Sequence, residues 1–464
     1  MYNNIQAVVR TPEGLTESFP SEMGVKQGCP LSPLLFGLYI DGLQKVMTDN
    51  LSHPPEIEGV KVPLLLYADD SKLLSWSAKG LQHSLNQLER FTKERGLQVN
   101  VAKTKIMIFG SRTPILRTPY KFFISNEALE VVSNFKDLGL TINRNVAWPS
   151  SCITKLIEPA KRALYALKAK CLEIGIAHPS QIVQLFDALV KPILLYACEI
   201  WGPDLSLQEL FLNNCYARNI EKIHLDILRW VLGVRRSTPA HHLRGEFGRM
   251  PLSFSIIKST LKYCERLAGL DDQRLLKIAF NHSCKLDSQG HKTWVTSVRS
   301  LIISLGIGRL DENLTLQGHW ASKLQDIFIE KWSQDLSSSV KGPLYLQIKN
   351  GSFMMADYLF KLQDFKKRRT FARMVTGSHS LAIEMGRQPN VERHNRKCEI
   401  CHCVENEHHF CFDCPLYDGL RQKYNVLFKA DTQSVPLFLQ QDCTLIANFL
   451  YDGLTLNGLL HQNV

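Results

Sequence analysis

Val62-Pro63-Leu64-Leu65-Leu66-Tyr67-Ala68-Asp69-Asp70-Ser71-Lys72-Leu73-Leu74 sets two adjacent acids between two apolar runs, the layout of a β-hairpin with carboxylates at its tip. Two carboxylates placed side by side repel one another unless a cation is present. Hard oxygen ligands at such a tip suit magnesium. Phosphoryl transfer uses two such ions about 4 Å apart, one at the attacking oxygen and one at the leaving group. Because Asp-Asp is also an ordinary turn dipeptide, the weight of the reading falls on its surroundings.

Upstream, Gly24-Val25-Lys26-Gln27-Gly28-Cys29-Pro30-Leu31-Ser32-Pro33-Leu34-Leu35-Phe36 places glycines and prolines ahead of an apolar helix expected to run to about Val46. A loop of this kind brings backbone close to a ligand and then opens a helix N-terminus, a suitable neighbour for nucleotide phosphate or sugar. By itself it also fits a structural helix entry. Downstream, Leu81, Leu85, Leu88 and Phe91 mark a helix that Gly96 ends, read as scaffold with no chemical part.

The two stretches together, in this order, resemble the reverse transcriptases of non-long-terminal-repeat (LINE-type) retrotransposons. Gln27 to Phe36 resembles the family's nucleotide-facing motif, and Tyr67-Ala68-Asp69-Asp70 its catalytic box. Gly96-Leu97-Gln98-Val99-Asn100 with Lys103-Thr104-Lys105 and Met107-Ile108-Phe109 resembles the next palm motif, and Phe135-Lys136-Asp137-Leu138-Gly139-Leu140 the stretch that grips the primer end. The resemblance implies Asp69 and Asp70 as Mg2+ ligands in a two-metal site and Gln27, Gly28, Pro30 and Tyr67 near the incoming dNTP. It further implies Lys103 as the acid that protonates departing pyrophosphate, and an RNA template with a DNA primer or target as partners. A cation near charge developing on the leaving group is the help this chemistry needs.

The family pattern has a further aspartate on a strand upstream of the nucleotide-facing motif. The 23 residues before Gly24 hold Glu13, Glu17 and Glu22 and no aspartate. The sequence therefore reads as an N-terminally truncated polymerase without fingers, expected to have little or no activity alone. The alternative is a non-catalytic RNA- or DNA-binding relic.

Cys398-x-x-Cys401, His409 and Cys414 have gaps of two, seven and four residues, a spacing that lets three thiolates and one imidazole close a tetrahedral zinc site. Cys403, His408 and Cys411 are neighbours that could substitute. A closed four-ligand site would be structural. Five of the 13 cysteines lie here, which fits a reducing compartment with a local metal site better than a disulfide framework. Arg393, His394, Arg396 and Lys397 precede the group and Arg421 and Lys423 follow it, a setting suited to nucleic acid. Cys411 to Tyr417 resembles the zinc segment near the carboxyl end of the same retrotransposon proteins, and Leu195 to Gly202 and Leu232 to Ser237 resemble their intervening region.

The chain is 464 residues, 45% hydrophobic, with a net charge of +11, a modest excess that fits either nucleic-acid contact or ordinary solvation. The fold class expected is α+β: a partial palm over 1–148, a helical thumb-like region over 149–310, and a C-terminal region over 311–464 with a basic stretch and the zinc segment. Ile223, Ile227, Trp230 and Val231 fall on one helical face before Gly233, plain core packing. Phe186 to Trp201, broken by Lys191 and Pro192, reads as a buried helix and not a membrane span. No secretory signal opens the sequence. Lys366-Lys367-Arg368-Arg369 reads as a solvated helix face, with phosphate contact as the alternative.

Overall fold

In the computed structural model, which describes residues 5–20, 24–26, 28–49, 53–110, 120–145, 148–204, 215–308, 314, 316, 318–340, 342–349, 351–387, 389–428 and 433–460, the chain divides into two compact units. Residues 1–146 with 271–282 form one, and 147–270 with 283–464 the other.

The first unit is organised on one amphipathic helix. Helices α1 (Ser32–Ile40) and α2 (Gly42–Asp49) come before it, and α3 itself spans Ala78–Glu94. Ser77 caps α3 by accepting the Gly80 N–H at 3.1 Å, which satisfies one of the otherwise orphaned donors of its first turn. At the other end Gly96 takes a positive φ of 62°. The Gly96 amide donates to the Lys93 carbonyl and the Leu97 amide to that of Thr92, the paired bonds of a Schellman ending. The spacing of Leu85, Leu88 and Phe91 then brings all three onto the buried face, against Leu43 and Met47 of α2 and Ile106, Phe122, Ile124 and Leu129. The apolar run expected to be one helix to Val46 is instead two, parted at Asp41.

Against this core lie short strands: β1 (Leu64–Tyr67), β2 (Asp70–Leu73), β3 (Lys105–Ile106), β4 (Phe122–Ile124), β5 (Glu127–Val131), β6 (Asn134–Asp137) and β7 (Leu140–Asn143). β1 pairs antiparallel with β2 and β6 with β7; β5 lies between antiparallel β4 and parallel β3. The unit is thus α+β, built from hairpins laid on helices.

The second unit is mostly helical. Its helices α4 (Trp148–Glu173), α5 (Pro179–Leu189) and α6 (Cys215–Leu232) pack on one another. The stretch from Phe186 to Trp201 is not a single helix. α5 stops at Leu189, a short turn of helix restarts at Lys191 with Pro192 in its first turn, and Ala197 adopts φ 52° before the helical segment Cys198–Asp204. Proline suits the first turn of a helix and is disfavoured in its interior, so the break falls there. Phe186, Val190, Leu194, Cys198 and Trp201 are nonetheless all buried. Among the described residues no single helix is long and apolar enough to cross a membrane.

A polar network crosses this core. Glu221 of α6 is buried and accepts from Arg244 of α7 (Ala240–Phe247) at 2.9 Å and from the Leu252 amide at 2.9 Å, with His224 Nδ1 at 3.1 Å. Arg249 donates to His224 Nε2 at 3.2 Å and reaches both oxygens of Asp187 at 2.8 and 2.5 Å. Burial alone would raise the Glu221 pKa, but His224 and Arg244 with the Leu252 amide bring it to about 2.

The basic stretch is a solvated face only in part: Lys366 is exposed, but Arg368 is buried and Arg369 half-buried. Helix α8 (Phe365–Val375) begins at Asp364, whose carboxylate accepts the Lys366 and Lys367 amides. Arg368 is buried and donates to the carbonyls of Leu362 and Ala177. Arg369 stacks on Phe365, its guanidinium carbon 3.8 Å from the ring centroid, and donates to the Trp230 carbonyl at 2.6 Å; Arg373 donates to that of Gly233 at 2.7 Å. These two carbonyls lie at the C-terminus of α6, where helix carbonyls lack intrahelical donors and the dipole favours cations. The expectation failed for Arg368 and Arg369 because composition cannot tell a cation facing water from one facing carbonyls of other elements.

Two outcomes follow. Arg369→Ala leaves the Trp230 carbonyl without this donor and should cost about 1–3 kcal/mol in chemical denaturation, whereas exposed Lys366→Ala should stay within about 0.5 kcal/mol. The depressed Glu221 pKa gives stability that is present above its ordinary value of 4.5 and lost as pH falls toward about 2. In a pH series of urea melts Glu221→Gln should flatten this acid limb and cost about 3–5 kcal/mol at neutral pH.

Candidate catalytic hairpin and metal centre

The register of the β1–β2 hairpin decides what its tip can do. Tyr67 pairs with Asp70, Leu66 with Ser71, Leu65 with Lys72 and Leu64 with Leu73, so the turn consists of Ala68 and Asp69 alone. A two-residue hairpin needs positive φ in the turn, and Ala68 supplies it at 51°, a conformation that costs a residue with a Cβ roughly 1–2 kcal/mol. Directly paired residues share a face. Leu64, Leu66 and Leu73 pack on the α3 core, which turns Leu65, Tyr67, Asp70 and Lys72 outward. Tyr67, Asp69 and Asp70 are all exposed.

Lys72, on the same face as Asp70, forms an ion pair at 3.0 Å with Asp137, the last residue of β6, and both side chains are more than two-thirds buried. β6 and β7 turn through Leu138 and Gly139, at φ 44° and 89°, so the Phe135–Leu140 segment is itself a tight hairpin tied by this bond to the carboxylate hairpin. Sequence reasoning passed over Lys72 and the Asp137 contact. The period-2 pattern that puts Lys72 beside Asp70 was visible, but the partner on another hairpin was not.

Of the remaining sites, Gly28 is exposed with φ 82°, Pro30 is exposed, and Ser32 Oγ ties back to the Lys26 carbonyl at 2.6 Å before α1 begins. Gln27 lies outside the described residues. Lys103 is exposed in the turn before β3, its amide held by Asn100.

In the second unit the four spaced ligands converge. One donor atom from each of Cys398, Cys401, His409 and Cys414 lies within 4.8 Å of all the others. Cys398 Sγ and Cys414 Sγ are 3.9 Å apart, and Cys401 Sγ and His409 Nε2 3.1 Å. A zinc tetrahedron with sulfur ligands at 2.3 Å has edges of about 3.8 Å, so the donor set fits such an ion in number, type and spacing. Local folding explains each gap. The His402 amide donates to the Cys398 carbonyl and the Cys398 amide to that of Cys403, a tight knuckle that folds Cys401 back toward Cys398. Residues His409–Asp413 form a π turn in which the Cys414 amide donates to the His409 carbonyl at 2.9 Å; an i to i+5 turn sets residues five apart together.

The neighbouring thiols and imidazole are placed elsewhere. Cys411 is buried with its pKa pushed far up by desolvation, Cys403 is exposed, and His408 pairs with Asp413. Burial lowers the His409 pKa, favouring the neutral ring that binds metal, and pushes the Cys414 thiol up. Arg421 donates to the Cys414 carbonyl at 2.5 Å, Arg396 donates to the carbonyls of Val391 and Ile383, and Lys423 pairs with Asp452. The flanking cations therefore brace this segment; Arg393 and Lys397 are exposed.

Comparison with known proteins agrees with the hairpin. Residues 3–142 match the family model described as reverse transcriptase (RNA-dependent DNA polymerase), and this chain carries a reverse-transcriptase domain. The domain is of the non-long-terminal-repeat retrotransposon kind. The chain is 32% identical over 127 residues to the retrovirus-related Pol polyprotein from type-1 retrotransposable element R2 of Nasonia vitripennis, covering 26% of this chain and 12% of that protein. It is 31% identical over 199 residues to the R2 Pol polyprotein of Popillia japonica, covering 40% and 26%, and 32% identical over 129 residues to that of Bradysia coprophila, covering 28% and 14%. The chain thus matches between 12% and 26% of the length of these relatives.

A double-mutant cycle of Lys72→Ala and Asp137→Ala, read by chemical denaturation, should give a coupling of about 0.5–1 kcal/mol. A value of zero would show the two hairpins to be independent.

Proposed function

We propose that residues 1–148 act as the palm of an RNA-directed DNA polymerase, with Asp69 and Asp70 as Mg2+ ligands. The observation that carries this reading is a pair of exposed carboxylates raised on a two-residue turn, inside the segment that matches reverse transcriptases. Bound there, divalent ions supply activation of the primer hydroxyl and charge neutralisation at the leaving pyrophosphate. Gln27, Gly28, Pro30 and Tyr67 position the incoming dNTP, and Lys103 gives a proton to the departing pyrophosphate oxygen. Asp137 keeps Lys72 from neutralising Asp70 on their shared face, and the same ion pair holds the Phe135–Leu140 hairpin where a primer end would lie.

Residues 149–310 serve as a thumb-like region and 311–464 as a C-terminal region that meets nucleic acid, stabilised by a structural Zn2+ on Cys398, Cys401, His409 and Cys414. An RNA template and a DNA primer or target are the partners.

The carboxylate tip can be tested without turnover. Fe2+ in place of Mg2+, with ascorbate, should cut the backbone beside residues 66–71. Asp69→Asn and Asp70→Asn should abolish the cut, and Asp137→Asn should weaken it by releasing Lys72. Primer extension on an RNA template by the same preparations separates two outcomes. Synthesis that either asparagine variant removes identifies an enzyme; RNA binding with neither cleavage nor synthesis identifies a non-catalytic nucleic-acid-binding chain.

A further inference from the structure

Tyr417 is 1% exposed, and its hydroxyl has no hydrogen-bond partner among the described residues. A buried polar group left unpaired costs about 1–3 kcal/mol, so an acceptor is called for. Its place in the fold narrows the choice. Tyr417 lies three residues beyond Cys414, in the turn Pro415–Tyr417, with its amide donating to the Cys414 carbonyl at 3.1 Å. Its ring packs on Phe410, the residue after His409, with centroids 4.6 Å apart.

A phenol keeps its proton at neutral pH, so the hydroxyl can donate to Glu405 or to the thiols of Cys414, Cys398 and Cys401, the ionisable groups around it. Glu405 is already engaged. One of its oxygens accepts the Ala382 amide at 2.6 Å and the other the Asn457 side chain at 3.3 Å. The thiols are poor acceptors while protonated, but a metal ion converts them to thiolates.

We propose that the Tyr417 hydroxyl donates a hydrogen bond to a thiolate of the Cys398, Cys401, His409 and Cys414 centre once a metal ion is bound, and so acts as a positioning residue for that ligand. The proposal rests on the zinc reading above. Partners that bond a ligand's own atoms fix its orientation and tune its electron donation. The proton stays on the tyrosine oxygen throughout.

The test uses the full chain titrated with Co2+, then Zn2+ affinity measured by chelator competition. Tyr417→Phe keeps the ring that packs on Phe410 and removes only the hydroxyl. It should weaken metal affinity about tenfold and move the sulfur-to-cobalt charge-transfer band to longer wavelength, because the thiolate lone pair loses a donor that stabilised it. Glu405→Gln should leave the band in place. A Tyr417→Phe protein that is less stable yet keeps the wild-type band and affinity would overturn the proposal and assign the hydroxyl to Glu405. An equal band shift in Glu405→Gln would also overturn it. A wild-type chain that gives no tetrahedral cobalt spectrum would instead overturn the metal reading itself, and the proposal with it.

Discussion

A two-residue turn leaves a hairpin no slack. Once Tyr67 pairs with Asp70, the face on which every side chain of β1 and β2 lies is fixed, and a slip of one residue would exchange core and surface. Leu64, Leu66 and Leu73 decide which face turns inward, because burying each such side chain is worth about 1.5–3 kcal/mol. The exposure of Asp70 is therefore a consequence of leucines packing on α3. Ala68 bears strain so that the turn can be this short, and such strain is found where surrounding structure over-determines it.

The outward face carries Asp70 and Lys72 two residues apart, a combination that would partly neutralise itself. The ion pair with Asp137 draws the lysine aside and fastens a second tight hairpin to the first. One contact thus engages the lysine on the Asp70 face and joins the two hairpins.

The helical unit solves a different problem, which is how to end helices inside a protein. The C-terminus of α6 presents carbonyls that have no intrahelical donor, and Arg369 and Arg373 of α8 supply donors to them. Burial together with the neighbouring Arg373 and Arg368 lowers the Arg369 pKa to about 10, which still leaves a full cation at neutral pH. Similar reasoning covers Arg396 and Arg421 near the metal centre: Arg421 holds the carbonyl of the ligand Cys414, and Arg396 that of Ile383.

The sequence by itself determined what depends on neighbours along the chain. It set the apolar runs flanking Asp69 and Asp70, the α3 face ended by Gly96, and the four ligand spacings, since hairpins, helix endings and knuckles are local and their residue preferences are strong. Only the tertiary structure decided what depends on distant partners. It broke the Phe186–Trp201 run, seated Arg368 and Arg369 on carbonyls of other elements, and paired Lys72 with Asp137. Out of the eight Cys and His residues between positions 398 and 414 it also brought four into one cluster. A lysine or an arginine carries the same charge whether it meets water, a carboxylate or a helix end, and the fold alone chooses among them.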